Sequence, residues 1–252
     1  MESIDFGVLL AGATRFNEGI NPTWKGVVQT HTEDKIAFVK QVDTPYELYV
    51  ECACAIVGRV LGLPIPKPMI VQIPSVYTAT AINVLGYGSE DAGYPSFRRF
   101  VQDQNVIQKL FEFEKTLDAA IFDELIGNWD RNVGNMLYDG GKEFVFIDHG
   151  KSLEKTLPVH SLAARNQLID VLYSQRSELD KYRYMRIAQQ GLLSQYGMLP
   201  FAIIPAKTYA SAYVEDDDTI HVVEFLKSRL NYIEGLLRQR LGIPPLAQRE
   251  VL

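Results

Sequence analysis

Residues 127–150, GNWDRNVGNMLYDGGKEFVFIDHG, set Asp130, Asn135 and Asp148 around two short apolar runs. The side-chain oxygens of Asp and Asn are hard ligands. They suit a cation such as Mg²⁺, which takes few protein groups and completes its shell with water and phosphate. The runs NMLY and EFVFI are joined by DGGK, a hairpin signal, because Gly140 and Gly141 can take the positive φ of a tight turn. Folding that hairpin brings Asn135, at the start of one strand, within a residue or two of a position opposite Asp148, at the end of the other. Asp130 lies five residues before Asn135, on the segment that enters the hairpin. Two oxygen ligands side by side with a further carboxylate behind them match the needs of phosphoryl transfer. A metal is held against the phosphates, and an Asp is turned toward the hydroxyl that attacks.

The elements that must position these groups can be read from the rest of the chain. GVLLAG, KGVVQTH and KIAFVKQV predict short strands separated by Gly, Asn, Pro and Asp. TPYELYVECACAIVGRVLG predicts one helix with Thr44 as N-cap, Pro45 in the first turn, Glu47 at N3 and a stop near Gly62. Pro64, Pro66 and Pro68 keep the following segment extended, leading into strands at MIVQI and TATAINVLG. Residues 86–97 change texture to Gly, Ser, Asp and Pro, and mark a boundary between a strand-rich part, 1–88, and a helical part, 89–252. Helices are expected within 103–129 and at 161–176, 178–196 and 219–241, with an irregular stretch at 198–218. The fold class is α+β, with two unequal lobes.

The pattern Asp130-x-x-x-x-Asn135, then a hairpin, then Asp148-His149-Gly150 resembles the catalytic loop and Asp-Phe-Gly motif of protein kinases. Asn128 and Trp129 replace the usual His-Arg pair and His149 replaces Phe, which sets the chain apart from eukaryotic-type kinases. FDELIGNWDRNVGN followed by FVFIDHG resembles the HipA-like kinase family and, more distantly, the type II phosphatidylinositol kinases. KIAFVKQV is similar to the strand carrying the phosphate-binding lysine, here Lys40. VECACAIVGRVLGLPIP resembles the helix whose glutamate partners that lysine. Counting back from the Leu-Gly-Leu-Pro stop gives Glu51, with Glu47 one turn earlier as the fallback. GYGSEDAG resembles the segment crossing between lobes, where backbone groups of Gly88, Ser89 and Glu90 would meet adenine. NEGINPTWKG, with Gly19 to Gly26, stands where a phosphate-cradling loop is expected, without its usual glycine spacing.

The resemblance spans residues 24 to 155. It implies a bilobal protein-kinase-like fold and an ATP- and Mg²⁺-dependent kinase acting on Ser or Thr of a protein substrate. Asp130 would be the base, Asn135 and Asp148 the metal ligands, Lys40 the phosphate contact and Glu51 its positioner. It also implies an antitoxin-like regulatory protein as a partner. Two other readings compete. One is a nucleotide-binding pseudokinase serving as a partner-binding module, since the glycine loop is missing and only a short run separates Asp148 from the next helices. The other is a kinase of a small molecule or lipid head group.

Composition limits the alternatives. The chain has 252 residues, 47% of them hydrophobic, and a formal net charge of −6, which argues against a protein that coats nucleic acid. The amino terminus carries Glu2 and Asp5 where a signal peptide needs positive charge, and no apolar run approaches the roughly 20 residues that span a bilayer. A cytoplasmic protein with no membrane contact is expected, its Cys52 and Cys54 acting as small apolar filler. Trp24 and Trp129 read as packing residues and His149 as a hydrogen-bonded structural histidine. Arg131 is set either to orient a phosphate or to pair with a carboxylate. YVEDDDT, residues 213–219, reads as an acidic stretch capping a helix that starts near Thr219 rather than a metal loop.

Overall fold

Short runs of branched apolar residues between turn formers fold as strands. The computed structural model, which describes residues 1–17 and 21–244, gathers six of them into one sheet. They are β1 (Asp5–Leu9), β2 (Thr14–Phe16), β3 (Thr23–Thr30), β4 (Asp34–Gln41), β5 (Pro68–Ile73) and β6 (Val84–Glu90), in the order β1-β5-β6-β4-β3-β2. β1 runs parallel to β5 and also pairs antiparallel with the second half of β3, where Gly7 is opposite Thr30 and Leu9 opposite Val28. The strands β1, β5, β6, β4 and β3 therefore close on themselves as a small barrel. Leu9, Trp24, Val28, Ala37, Val39, Met69, Val71 and Ile73 fill its inside, each at most 3% exposed. Gly88 faces the same interior. A Cβ there would stand 2.6 Å from Val71 Cγ2, so the close approach of strands requires glycine.

α1 (Pro45–Val60) forms where the sequence places it. The Thr44 hydroxyl accepts the Glu47 N–H at 3.1 Å, a cap that contributes about 1 kcal/mol. Every residue from Glu47 to Gly58 is buried. Apart from Glu47 and Glu51 the segment is apolar all round, because the helix lies between the outer side of the sheet, at Ile70 and Tyr87, and the helical part, at Phe122. That part comprises α2 (Gln104–Glu112), α3 (Thr116–Ile126), the hairpin β7 (Met136–Tyr138) and β8 (Phe144–Phe146), α4 (Glu178–Gln190), α5 (Leu192–Tyr196), α6 (Ile204–Lys207), α7 (Asp216–Leu230) and α8 (Ile233–Leu241). Its core is continuous with the residues around α1. The class is mixed α+β, as expected, and no helix among the described residues is long and apolar enough to cross a membrane.

Several elements differ from the sequence reading. The strand expected over TATAINVLG begins only at Val84. Upstream of it the Thr78 and Thr80 hydroxyls bond each other, Thr80 donates to the Ile82 carbonyl, and Asn83 Oδ1 accepts the Ser75 N–H. Such local side-chain bonds compete with a ladder. The helix expected at 161–176 reduces to one wide turn, Ile169–Tyr173. The segment before that turn has its carbonyls held elsewhere: Arg229 donates to Pro158, Val159 and Ser161, and Arg240 to Ala163. The helix expected over 178–196 breaks at Gly191, and the last one begins at Asp216 and breaks after Leu230. Asp216, Asp217 and Asp218 occupy its first turn, where negative charge meets unpaired N–H groups. Among the described residues no group of three His, Cys, Asp or Glu is arranged to hold a metal.

Candidate active site

Strand alternation puts Val39 inside the barrel and turns Lys40 outward, opposite Thr23 on β3 and Tyr87 on β6. There the Lys40 ammonium meets the carboxylate of Glu51 in a short ion pair and lies 3.0 Å from Asp148 Oδ1. Glu47, one turn earlier on α1, is 3.8 Å away. Glu51 is the closer partner, and it is fully buried with its second oxygen accepting the His149 backbone N–H at 2.8 Å.

The hairpin supplies the other half of the site. Gly140 takes φ 85°, whereas Gly141 has no positive φ, and the Asp139 carboxylate accepts the N–H groups of Gly141, Lys142 and Glu143 to close the turn. Met136 then pairs with Phe146, and the Ile147 N–H donates to the Asn135 carbonyl at 3.0 Å. Asn135 and Asp148 consequently sit one residue out of register at the hairpin mouth. Asp148 has φ 59°, a left-handed conformation that Asp tolerates better than most residues. Asn135 donates its side-chain N–H to the Asp130 carbonyl at 2.7 Å and lies 3.4 Å from Asp130 Oδ2. Asp130, Asn135, Asp148, Lys40 and Glu51 are thus brought to one place from β4, α1 and the hairpin.

Gly88, Ser89 and Glu90 are not placed as the sequence reading expects. They lie inside β6, with Gly88 between Val39 and Met69 and Ser89 between Phe38 and Pro68. Their backbone groups are spent on the sheet, the Glu90 N–H going to the Lys67 carbonyl. The strand that begins at Val84 simply runs further than the glycines imply, and the expected boundary at 88 and 89 falls within it. Of the expected phosphate loop, Glu18, Gly19 and Ile20 lie outside the described residues, and Gly26 is within β3.

A profile of the HipA-like kinases matches residues 18–182, about two thirds of the sequence. The chain belongs to the HipA-like kinase family. Its structure is similar to the crystal structure of a Helicobacter pylori proinflammatory kinase, CtkA, with a TM-score of 0.55 and 12% identity over 92% of this chain and 96% of that one. At that identity the likeness speaks for the fold alone. No curated protein matches the sequence.

The electrostatics of this HipA-like kinase follow from the cluster. Burial works against the charge on Lys40, but Glu51 and Asp148 outweigh it and raise its pKa, so it stays cationic. Burial alone would raise the Asp148 carboxyl. The Lys40 ammonium overrides this and holds it down at about 2. Glu51 is pushed up to about 7, first by burial and then by the Asp148 charge, against the pull of Lys40.

The two shifts act in opposite directions with pH. Asp148 contributes stability that is present above its ordinary value of 3.8 and lost as pH falls through about 2. Glu51 contributes stability that is fully present below its ordinary value of 4.5 and is lost as pH rises through about 7. The Lys40–Glu51 ion pair, by contrast, needs the anion. Affinity for any phosphate-bearing ligand that Lys40 contacts is therefore expected to fall as pH drops through about 7 in the native protein and to stay low and flat in Glu51→Gln. Nucleotide titrations between pH 5.5 and 8.5 check this, and a pH-independent native affinity would count against it.

Of the residues that hold the loop, the sequence reading missed Asp123 and the bonding role of Asn128, and left Arg131 with two alternatives. Arg131, 1% exposed, grips Asp123 through two bonds of 3.0 and 2.9 Å and donates to the carbonyls of Asn135 and Ile147. It pairs with a carboxylate rather than facing a phosphate. Asn128 donates to Asp123 at 3.0 Å and accepts the Asp130 N–H at 3.0 Å. A charged residue on the buried face of α3 was the available signal for Asp123. His149 differs from expectation. Its ring is fully buried against Phe122 and kept neutral by burial and by Arg131, and neither ring nitrogen has a hydrogen-bond partner among the described residues.

Proposed function

We propose that this chain is an ATP- and Mg²⁺-dependent kinase that transfers the γ-phosphate to Ser or Thr of a protein. The reading places a sheet-rich lobe that ends with β6, at Glu90, over the helical lobe that follows it, as in bilobal kinases. The observation that carries it is Asp148 held 3.0 Å from Lys40 at the mouth of the hairpin that also presents Asn135. The residues fit a hard cation. Asn135 spends its amide nitrogen on Asp130, so its carbonyl oxygen is the atom left to bind, and the Asp148 carboxylate stays ionised at neutral pH. Mg²⁺, when bound, would neutralise charge on the phosphates. Lys40 then contacts a phosphate oxygen, and Glu51 fixes the lysine. Asp130, half-buried and backed by Asn135 and Asn132, orients the acceptor hydroxyl and takes up its proton. ATP and the protein acceptor are the partners this chemistry needs. A regulatory protein of antitoxin type and a cytoplasmic site of action are extensions from the family.

The presence of all five polar groups in one cluster favours an active enzyme over a pseudokinase. The acceptor class is tested by comparing the phosphoproteomes of cells that express the native chain and Asp130→Asn. Ser or Thr sites that appear only with the native chain are expected. An unchanged phosphoproteome, with ATP still consumed, would move the acceptor to a small molecule or lipid head group.

A further inference from the structure

Lys40 and Arg131 commit their charge inside the cluster, Lys40 to Glu51 and Asp148 and Arg131 to Asp123. The rim of the site differs. Two exposed arginines touch the loop that carries Asp130, Arg165 at the residue just before it and Arg98 just after it. Arg165 Nε donates to the Trp129 carbonyl at 2.9 Å, and its guanidinium lies 5.9 Å from the centre of the Trp129 ring. The backbone beneath it is fixed, because the next residue, Asn166, is 1% exposed and donates to the Ala120 carbonyl of α3 at 2.8 Å.

Arg98 rests on bare backbone. A Cβ built on Gly134 would lie 2.6 Å from its Nη2 and 3.0 Å from Asn132 Oδ1, so any side chain at 134 would displace the guanidinium. Asn132 in turn reaches Asp130 Oδ1 at 3.4 Å. The tight turn that carries Arg98, Phe97–Phe100, is held to the hairpin: Phe97 is buried edge-on to Tyr138 and Phe144, and the Pro95 carbonyl accepts the Tyr138 N–H at 3.0 Å. Neither arginine forms an ion pair with a described residue. Glu154, at the same rim, turns its Oε1 to the Trp129 indole N–H at 2.6 Å. The chain thus sets positive charge beside a loop whose own functional groups, Asp130 and Asp148, are acidic, and supplies it with no acid.

We propose that Arg98 and Arg165 select the acceptor by binding acidic side chains, Asp or Glu, that flank the hydroxyl presented to Asp130, so that the substrate is an acidic segment of a protein. This rests on the kinase reading above. The planar guanidinium fork matches a carboxylate. Charge complementarity of this kind sets specificity and association rate more than affinity. Without the arginines an acidic segment would meet only like charge at Asp130 and Asp148, and with them a basic segment is repelled.

The test is phosphate transfer from MgATP by the purified full chain to Ser and Thr peptides whose flanks are fixed as acidic, neutral or basic, with melting temperatures measured in parallel. The native chain is expected to favour acidic over basic flanks about tenfold in kcat/KM, chiefly through KM, the scale of two exposed ion pairs. Raised salt should shrink that preference. Arg98→Glu and Arg165→Glu should each cut it to about twofold or less, and the double variant should favour basic flanks. A merely structural role would lower all peptides alike. Equal use of acidic and basic flanks by the native chain, or a preference that the variants leave unchanged, would overturn the inference and leave the kinase reading intact. Transfer to lysate proteins but to no peptide would likewise overturn the inference alone. A native chain that labels neither would overturn both.

Discussion

Asp130→Asn and Asp148→Asn are each expected to lower γ-phosphate transfer by roughly 10³-fold or more, on the scale set by loss of a catalytic base or of a charge-bearing metal ligand. The reasons differ. Asp130→Asn removes the group proposed to take the acceptor proton, yet it is nearly isosteric and the Asn135 bond to the Asp130 backbone carbonyl survives. Nucleotide affinity should therefore change little. Asp148→Asn removes the carboxylate that Lys40 holds ionised, so MgATP binding should weaken along with transfer. Melting temperatures close to native for Asp130→Asn would show that the loss is chemical. Full activity in either variant would remove the assigned roles.

The second large effect is on stability. Arg131→Leu leaves Asp123 fully buried with Asn128 as its remaining partner, and deprives the Asn135 and Ile147 carbonyls of their shared donor. Stranding one member of a buried ion pair costs about 3–5 kcal/mol. Denaturant unfolding should show a loss of that size, while Lys155→Ala, at an exposed pair with Asp218, should cost less than about 1 kcal/mol. Because Arg131 joins α3 to both hairpin ends, transfer should fall too. An Arg131→Leu protein as stable as the native one would mean that the loop is held by other contacts.

How much of this was legible in the sequence depends on how local the cause is. α1 could be read almost to its ends, since Thr44, Pro45 and Glu47 supply capping chemistry within a single turn. The hairpin was legible for the same reason, its turn being closed by the Asp139 carboxylate three to four residues away. Asp130, Asn135 and Asp148 could be placed together because a hairpin fixes which residues meet. The failures have distant causes. Barrel closure depends on β1 reaching both β5 and β3, pairings far apart in the chain that no local pattern displays. The segment before residue 169 does not become a helix because arginines from α7 and α8, 229 and 240, hold its carbonyls. Gly88 was read as a loop glycine, yet it is there to let strands approach. His149 looked like a hydrogen-bonding residue, yet its ring is buried against Phe122 and neither ring nitrogen has a partner among the described residues.

The central claim is that this cluster transfers phosphate, and the most direct measurement is incubation of the purified chain with γ-labelled ATP, Mg²⁺ and a cell lysate, beside the Asp130→Asn protein. Label on Ser or Thr, dependent on Mg²⁺ and absent with Asp130→Asn, is the expected result. Tight ATP binding with no transfer to any acceptor would contradict it.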